Sequence, residues 1–290
     1  MTQPGSDYWR SPLDPERVMH INVTHWQEET HERREDALTI EEPFEVRIDH
    51  SSLAVIMRTP GHDRELAMGF LFTERVIARP EDVLAIEDET DSEDLPLANV
   101  VNVMLRSPTQ QDALNPQPQA ATFERHFAVS ASCGLCGKNS IADLMVSIPP
   151  LEPGTLQIAA STLYELPARL RTAQSVFTHT GGLHAAGLFS AAGELLLLRE
   201  DVGRHNAVDK IIGHGLLHKT FPYTEHILMV SGRTSFEIIQ KALFARIPCI
   251  AAISAPSSLA VELADRAGIT LIGFLRDHAM NVYTHAERIA

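Results

Sequence analysis

The chain has 290 residues, with 24 lysines and arginines against 38 aspartates and glutamates, a formal charge of −14, and 44% hydrophobic residues. That is enough apolar material for one large core or two smaller ones, which excludes disorder, and the negative balance disfavours nonspecific binding to nucleic acid. Three cysteines do not make a disulfide framework, no apolar run spans a bilayer, and MTQPGSDYWR lacks the basic and apolar regions of a signal peptide; the expectation is a cytoplasmic protein with no membrane and no nucleic-acid partner.

Residues 1–35 read as a polar, flexible arm with one strand over Met19 to Thr24. Phe44 to Asp49 alternates apolar and polar residues, and Leu53 to Met57 answers it across a turn-like Asp49-His50-Ser51-Ser52, which predicts a hairpin. Arg64 to Phe72 carries apolar residues at helical spacing. The acids of Ile86 to Pro96 mark a solvated loop or edge, and Asn99 to Leu105 is a further strand. Residues 106–122 turn to Ser, Pro, Gln, Asn and Ala, the composition of a mobile loop. Beyond Pro149, Pro150 and Pro153, strands and helices alternate. The strands are Gly187 to Phe189, Leu195 to Arg199, Ile227 to Ser231, Cys249 to Ser254 and Thr270 to Phe274; the helices are Asn206 to Leu217, Ser235 to Ala245 and Ser258 to Ala267. Such alternation predicts an α/β layer. The division expected is a flexible arm (1–35), a smaller α+β domain ending in a cysteine loop (36–148) and an α/β ligand-binding domain (149–290).

Six stretches carry chemistry. In Cys133-Gly-Leu-Cys136-Gly-Lys138 two thiols lie close in sequence beside a lysine and between glycines, a setting that favours an accessible thiolate. Half of a zinc site is the competing reading, since Cys249 is the sole remaining thiol and sits in an apolar strand; histidines would have to complete it, and no metal ligands are assigned. Thr178 to Gly187 offers paired glycines with His179 and His184. A zinc deaminase needs H-x-E there, and His184-Ala185-Ala186 has alanine in place of the glutamate. Arg199 to Lys210 runs into a helix start suited to an anion, with Arg204 and Lys210 as cations, unless Glu200 and Asp201 neutralise them. Ser231-Gly232-Arg233 is a strand–turn–helix junction where a phosphate could rest, without the spacing of a Walker A loop. Ser254 to Ser258 repeats that pattern, and Gly273 to Tyr283 places Arg276 just after the last predicted strand, where α/β ligands bind.

Taken together, EEPFEVRID, ELAMGFLFTE, CGLCGK, REDVGRHNAVDK, SGRTSFEIIQKA and GFLRDHAMNVY resemble, in order over residues 40–289, the FdhD family of formate dehydrogenase accessory sulfurtransferases. The resemblance implies a cytoplasmic homodimer that takes persulfide sulfur from a cysteine desulfurase. It would pass the sulfur to a molybdenum or tungsten bis-guanine-dinucleotide cofactor, bound as substrate and not held permanently, before the cofactor enters the catalytic subunit of formate dehydrogenase. Cys133 would carry the sulfur, with Cys136 as the second thiol. Phe274, Leu275, Arg276, Asp277, His278 and Ala279 would hold the cofactor, and the Gly232-Arg233 turn read above from the residues would join them. The implied fold is a cytidine-deaminase-like α/β domain without its zinc, joined to a smaller α+β domain and a mobile CxxC loop. Two other classes remain open on the residues alone: a cofactor-binding chaperone without chemistry, and a thiol–disulfide oxidoreductase working through the cysteine pair.

Overall fold

The computed structural model describes residues 8–10, 14–90, 96–106, 127–129, 149–152, 154 and 156–290; Cys133 and Cys136 lie outside them. The described chain builds three sheets. The first is antiparallel, β1 (Tyr8–Arg10), β2 (Val18–Gln27) and β3 (Thr30–Thr39). It corrects the expectation of an arm with a single strand. The ribbon escapes a pattern search because Thr30 to Asp36 are exposed on both faces, so no apolar alternation marks them. Its continuous ladder runs from Val18 opposite Thr39 to Gln27 opposite Thr30, and the His20 to Glu35 pair at 2.7 Å and the stacked Trp26 and His31 rings support it across the strands.

The second sheet has the order β6 (Val83–Thr90), β7 (Pro96–Leu105), β4 (Glu42–Ile48), β5 (Ser51–Arg58), β8 (Phe127–Val129). β4 and β5 are the predicted hairpin, with Phe44, Val46 and Ile48 buried on one face. Asp49 and His50 turn it in left-handed backbone, the conformation of the tight hairpin turns whose twist matches that of strands. The described start of the acidic stretch, residues 86–90, lies in the edge strand β6, where Glu87 and Asp88 stay in solvent and discourage pairing with other chains.

The third sheet, β10 (Leu195–Asp201), β9 (His184–Ser190), β11 (His226–Val230), β12 (Cys249–Ala252), β13 (Thr270–Arg276), β14 (Ala279–Thr284), is the predicted α/β layer. β11, β12 and β13 are parallel and linked through helices at Phe236–Phe244 and Ser258–Ala267, while the other neighbours are antiparallel. The three central strands are almost entirely buried, as parallel strands covered on both faces should be.

Helix α1 (Asp63–Thr73) is buried on nearly every side because it lies between the second sheet and the long helix Arg204–His218. Backbone meets backbone there: a Cβ on Gly69 would fall 1.9 Å from the carbonyl oxygen of Asp209, and one on Gly213 would fall 1.8 Å from that of Glu65. Helix α2 (Ala160–Ala173) and helix α3 (Ser175–Thr180) were not legible as helices. Pro167 interrupts the first, which is nonetheless held by Leu163, Leu166 and Leu170 buried at helical spacing. The remaining helices are then α4 (Arg204–His218), α5 (Phe236–Phe244) and α6 (Ser258–Ala267). No described helix is long and apolar enough to cross a membrane.

Candidate functional site

The carboxyl ends of β10 and β11 and the amino end of β9 lie at one edge of the third sheet, since Asp201 pairs with His184 and the Ser231 amide donates to the Ala185 carbonyl. The Ser231 hydroxyl accepts from the Ala185 amide at 2.9 Å, closing the junction. Gly232 is enclosed: a Cβ there would sit 3.2 Å from His184 Nδ1 and 3.6 Å from Arg204 Cδ. A side chain here would press on the imidazole, which packs with the arginine stem over the Gly232 backbone.

Arg204 begins α4, and the guanidinium of the exposed Arg233 stands close enough to act on it. Burial first, and then the charge of Arg233, holds Arg204 below the usual arginine value, with Glu237 opposing. Its Nε is buried without a hydrogen-bond partner. The two neighbouring histidines are kept neutral: burial and then Arg204 push His205 down to about 4, and the same two causes lower His184. His205 Nε2 lies 3.2 Å from Oγ of Ser235, the residue that precedes the first turn of α5. Two like charges on adjoining helix starts, one with an unmet donor, form a site suited to an anion.

Beside these residues opens a cavity of about 480 Å³, lined by Arg171, Gln174, Phe177, Gly182, His184 and Ser231 among others. That volume suits part of a nucleotide-sized ligand. Arg171 lies 4.1 Å over the Phe177 ring, and the buried Gln174 Nε2 has no partner. Sequence reasoning missed Arg171, Gln174 and Phe177 because their helices were not legible; the only available signal was the Leu163, Leu166, Leu170 spacing.

The Gly273 to Tyr283 stretch is a hairpin. β13 and β14 turn at Asp277 and His278, both in left-handed backbone. Phe274, Arg276, Asp277, His278 and Ala279 are exposed, and Arg276 stands 5.9 Å over the Phe274 ring. Leu275 is fully buried in the core, so its side chain packs and cannot touch a ligand. The hairpin and the Gly232-Arg233 turn lean on one loop. Thr234 bridges Pro256, the Phe274 amide donates to the Ser254 carbonyl, and a Cβ on Gly273 would meet Pro256 Cδ at 3.0 Å.

The Arg199 to Lys210 stretch divides. Glu200 caps α3, accepting from the amides of Val176 and Phe177. Lys210 is buried 2.7 Å from Asp201 Oδ2 and donates to the Thr59 carbonyl. Of the cations Arg199, Arg204 and Lys210 in this stretch, only Arg204 faces the site, with His205 beside it. His179 bonds the Ser175 carbonyl and is exposed, a structural role. Cys249 is inert: burial pushes its thiol up to about 12.

Fold and site together define a mixed α/β protein that gathers arginines and glycine turns at the strand ends of its third sheet. Residues 39–290 match the model of the FdhD/NarQ family. A sulfur carrier protein FdhD of Nocardia farcinica is 48% identical over 260 residues, covering 89% of each chain. One of Sulfurisphaera tokodaii is 42% identical over 276 residues, covering 94% of this chain and 99% of its own. A solved structure described as a formate dehydrogenase accessory protein from Desulfotalea psychrophila shares the fold, with a TM-score of 0.70 at 21% identity over 94% of this chain and all of that one. The chain belongs to the FdhD/NarQ family.

Proposed function

We propose that the chain is a sulfur carrier in formate dehydrogenase maturation, taking sulfur from a cysteine desulfurase on Cys133 and delivering it to a molybdenum or tungsten bis-guanine-dinucleotide cofactor docked at the strand ends. Relatives named as sulfur carriers over nearly the full chain support the role. One structural observation carries the docking: Arg204 and Arg233 crowd two helix starts while a buried guanidinium Nε goes unpartnered. A phosphate there supplies what that donor lacks. Guanine and sugar would extend along the 480 Å³ cavity and toward Phe274 and Arg276. The antiparallel pair followed by three parallel strands supports a cytidine-deaminase-like reading of the third sheet.

In the loading step the Cys133 thiolate attacks the outer sulfur of the donor's persulfide. A new sulfur–sulfur bond forms on Cys133, the donor's own sulfur–sulfur bond breaks, and the donor leaves as a thiolate. The glycines flanking the cysteines and the Pro- and Gln-rich stretch before them suit a carrier that must reach two partners.

The test is intact mass spectrometry of the full chain after incubation with a desulfurase and cysteine. One added sulfur is expected in the wild type and in Cys136→Ala, and none in Cys133→Ala. An adduct that survives Cys133→Ala but vanishes in Cys136→Ala reverses the assignment, and no adduct in any variant refutes it.

A further inference from the structure

A second cluster lies away from the strand ends, where the amino end of α1 meets the carboxyl end of α4. His214 and His218 stand four residues apart on one face of α4, with ring centroids 4.2 Å apart. Glu65 reaches them from α1, its Oε1 3.0 Å from His214 Nδ1. One ligand-type atom from each of the three lies within 4.8 Å of the others. A tetrahedral ion with ligands about 2.0–2.1 Å away holds them about 3.4 Å apart, so the side chains would have to close by up to about 1.4 Å through rotations. His218 is exposed and free to make them.

Arg199 fixes the carboxylate side-on, Nε to Oε2 at 2.6 Å and Nη2 to Oε1 at 2.7 Å. A carboxylate has about four lone-pair directions, so this pairing leaves directions for an ion, which would displace Arg199 Nη2 from its place 3.2 Å from His214 Nδ1. It also holds Glu65 ionised, below the usual carboxylate range against the cost of burial.

Two independent features favour a cation at this place. Glu65 and His218 line an open groove of about 1050 Å³ whose wall also carries Glu42, Asp63 and Asp88, against Arg58 and Arg64. Arg58 pairs with Asp63 at 2.8 Å and Arg64 with Asp88 at 2.9 Å, so the acids that line the groove, Glu16 among them, still outnumber its arginines. The last turn of α4, where His218 lies, also presents the negative end of a helix dipole.

We propose that Glu65, His214 and His218 bind a divalent transition ion of the Zn²⁺ class, clipping α1 to α4 and leaving a fourth position open to the groove. Two imidazoles and one carboxylate are the donor set of such ions, whereas Mg²⁺ and Ca²⁺ take oxygen donors. His62, whose Nδ1 lies 3.7 Å from Glu65 Oε2, stands at the open side.

The cysteine pair could bind zinc on its own, so the test uses the full chain carrying Cys133→Ser and Cys136→Ser, stripped with a chelator and titrated calorimetrically with ZnCl₂. One equivalent should bind. His218→Ala and, separately, His214→Gln should each weaken binding by more than the about 10–100-fold that outer partners of a metal cost. The cobalt-substituted protein should show the visible bands of a tetrahedral site without thiolate-to-cobalt charge transfer. Circular dichroism without metal confirms that each variant is folded, and the exposed His218 keeps the test decisive should His214→Gln unfold. No binding in the cysteine-free background, or binding there that His218→Ala leaves unchanged, overturns the proposal.

Discussion

Two charged regions gather around α4, and they differ in how completely their charges are met. Toward the second sheet, Lys210 pairs with Asp201 at 2.7 Å, and Lys241 donates to both oxygens of Asp209 at 2.8 Å and to Thr73. Asp201 also accepts from Gly203, Asn206 and Thr59. These groups are buried and satisfied, the condition under which buried charge is tolerated. They tie the second sheet and α1 to the third sheet. At the strand ends, Arg204 and Arg233 repel each other and a buried donor is unmet. An anion there is what the proposed docking would supply. The buried seam balances two lysines with two aspartates, whereas the strand ends bring two arginines together against Glu237.

Variants should separate them as well. Lys210→Met strands Asp201 in the core and should cost about 3–5 kcal/mol of unfolding free energy in a urea titration; a loss under about 1 kcal/mol would mean that the seam is not structural. His205 provides a pH test. Its ring titrates near 4 in the folded protein against about 6.5 unfolded. The unfolded chain therefore takes up the proton first as pH falls. Stability is complete above about pH 6.5, declines between there and about 4, and is flat below, by roughly 3 kcal/mol for this residue. His205→Asn should flatten that segment of the stability–pH curve, and an unchanged slope would contradict the burial of a neutral ring. Arg204→Met should leave stability within about 0.5 kcal/mol yet weaken guanosine diphosphate binding by about 1.5–3 kcal/mol, the worth of a hydrogen bond to a charged group. Equal affinity for wild type and variant would remove Arg204 from the site.

The α/β layer was legible because buried parallel strands such as Ile227 to Val230 and Cys249 to Ala252 are short apolar runs between turn signals. The β2–β3 ribbon was not, since its exposed polar strands obey backbone pairing and no core pattern. Of the strand-end residues, Gly232, Arg233 and Arg204 could be read from turn-to-helix junctions. Arg171 and Gln174 could not, because Pro167 obscured their helix. The roles of Arg204 and Lys210 could not be told apart in advance: only the fold brings Asp201 onto Lys210 and leaves Arg204 beside Arg233. The Glu65, His214 and His218 cluster spans about 150 positions of chain and has no local signature.

The claim that this chain delivers sulfur, and does not merely hold a cofactor, is tested most directly by formate dehydrogenase activity in cells whose only copy carries Cys133→Ala and Cys136→Ala. With the variant protein present at wild-type level, the account predicts that the activity is lost; full activity would make the chain a binding chaperone and contradict it.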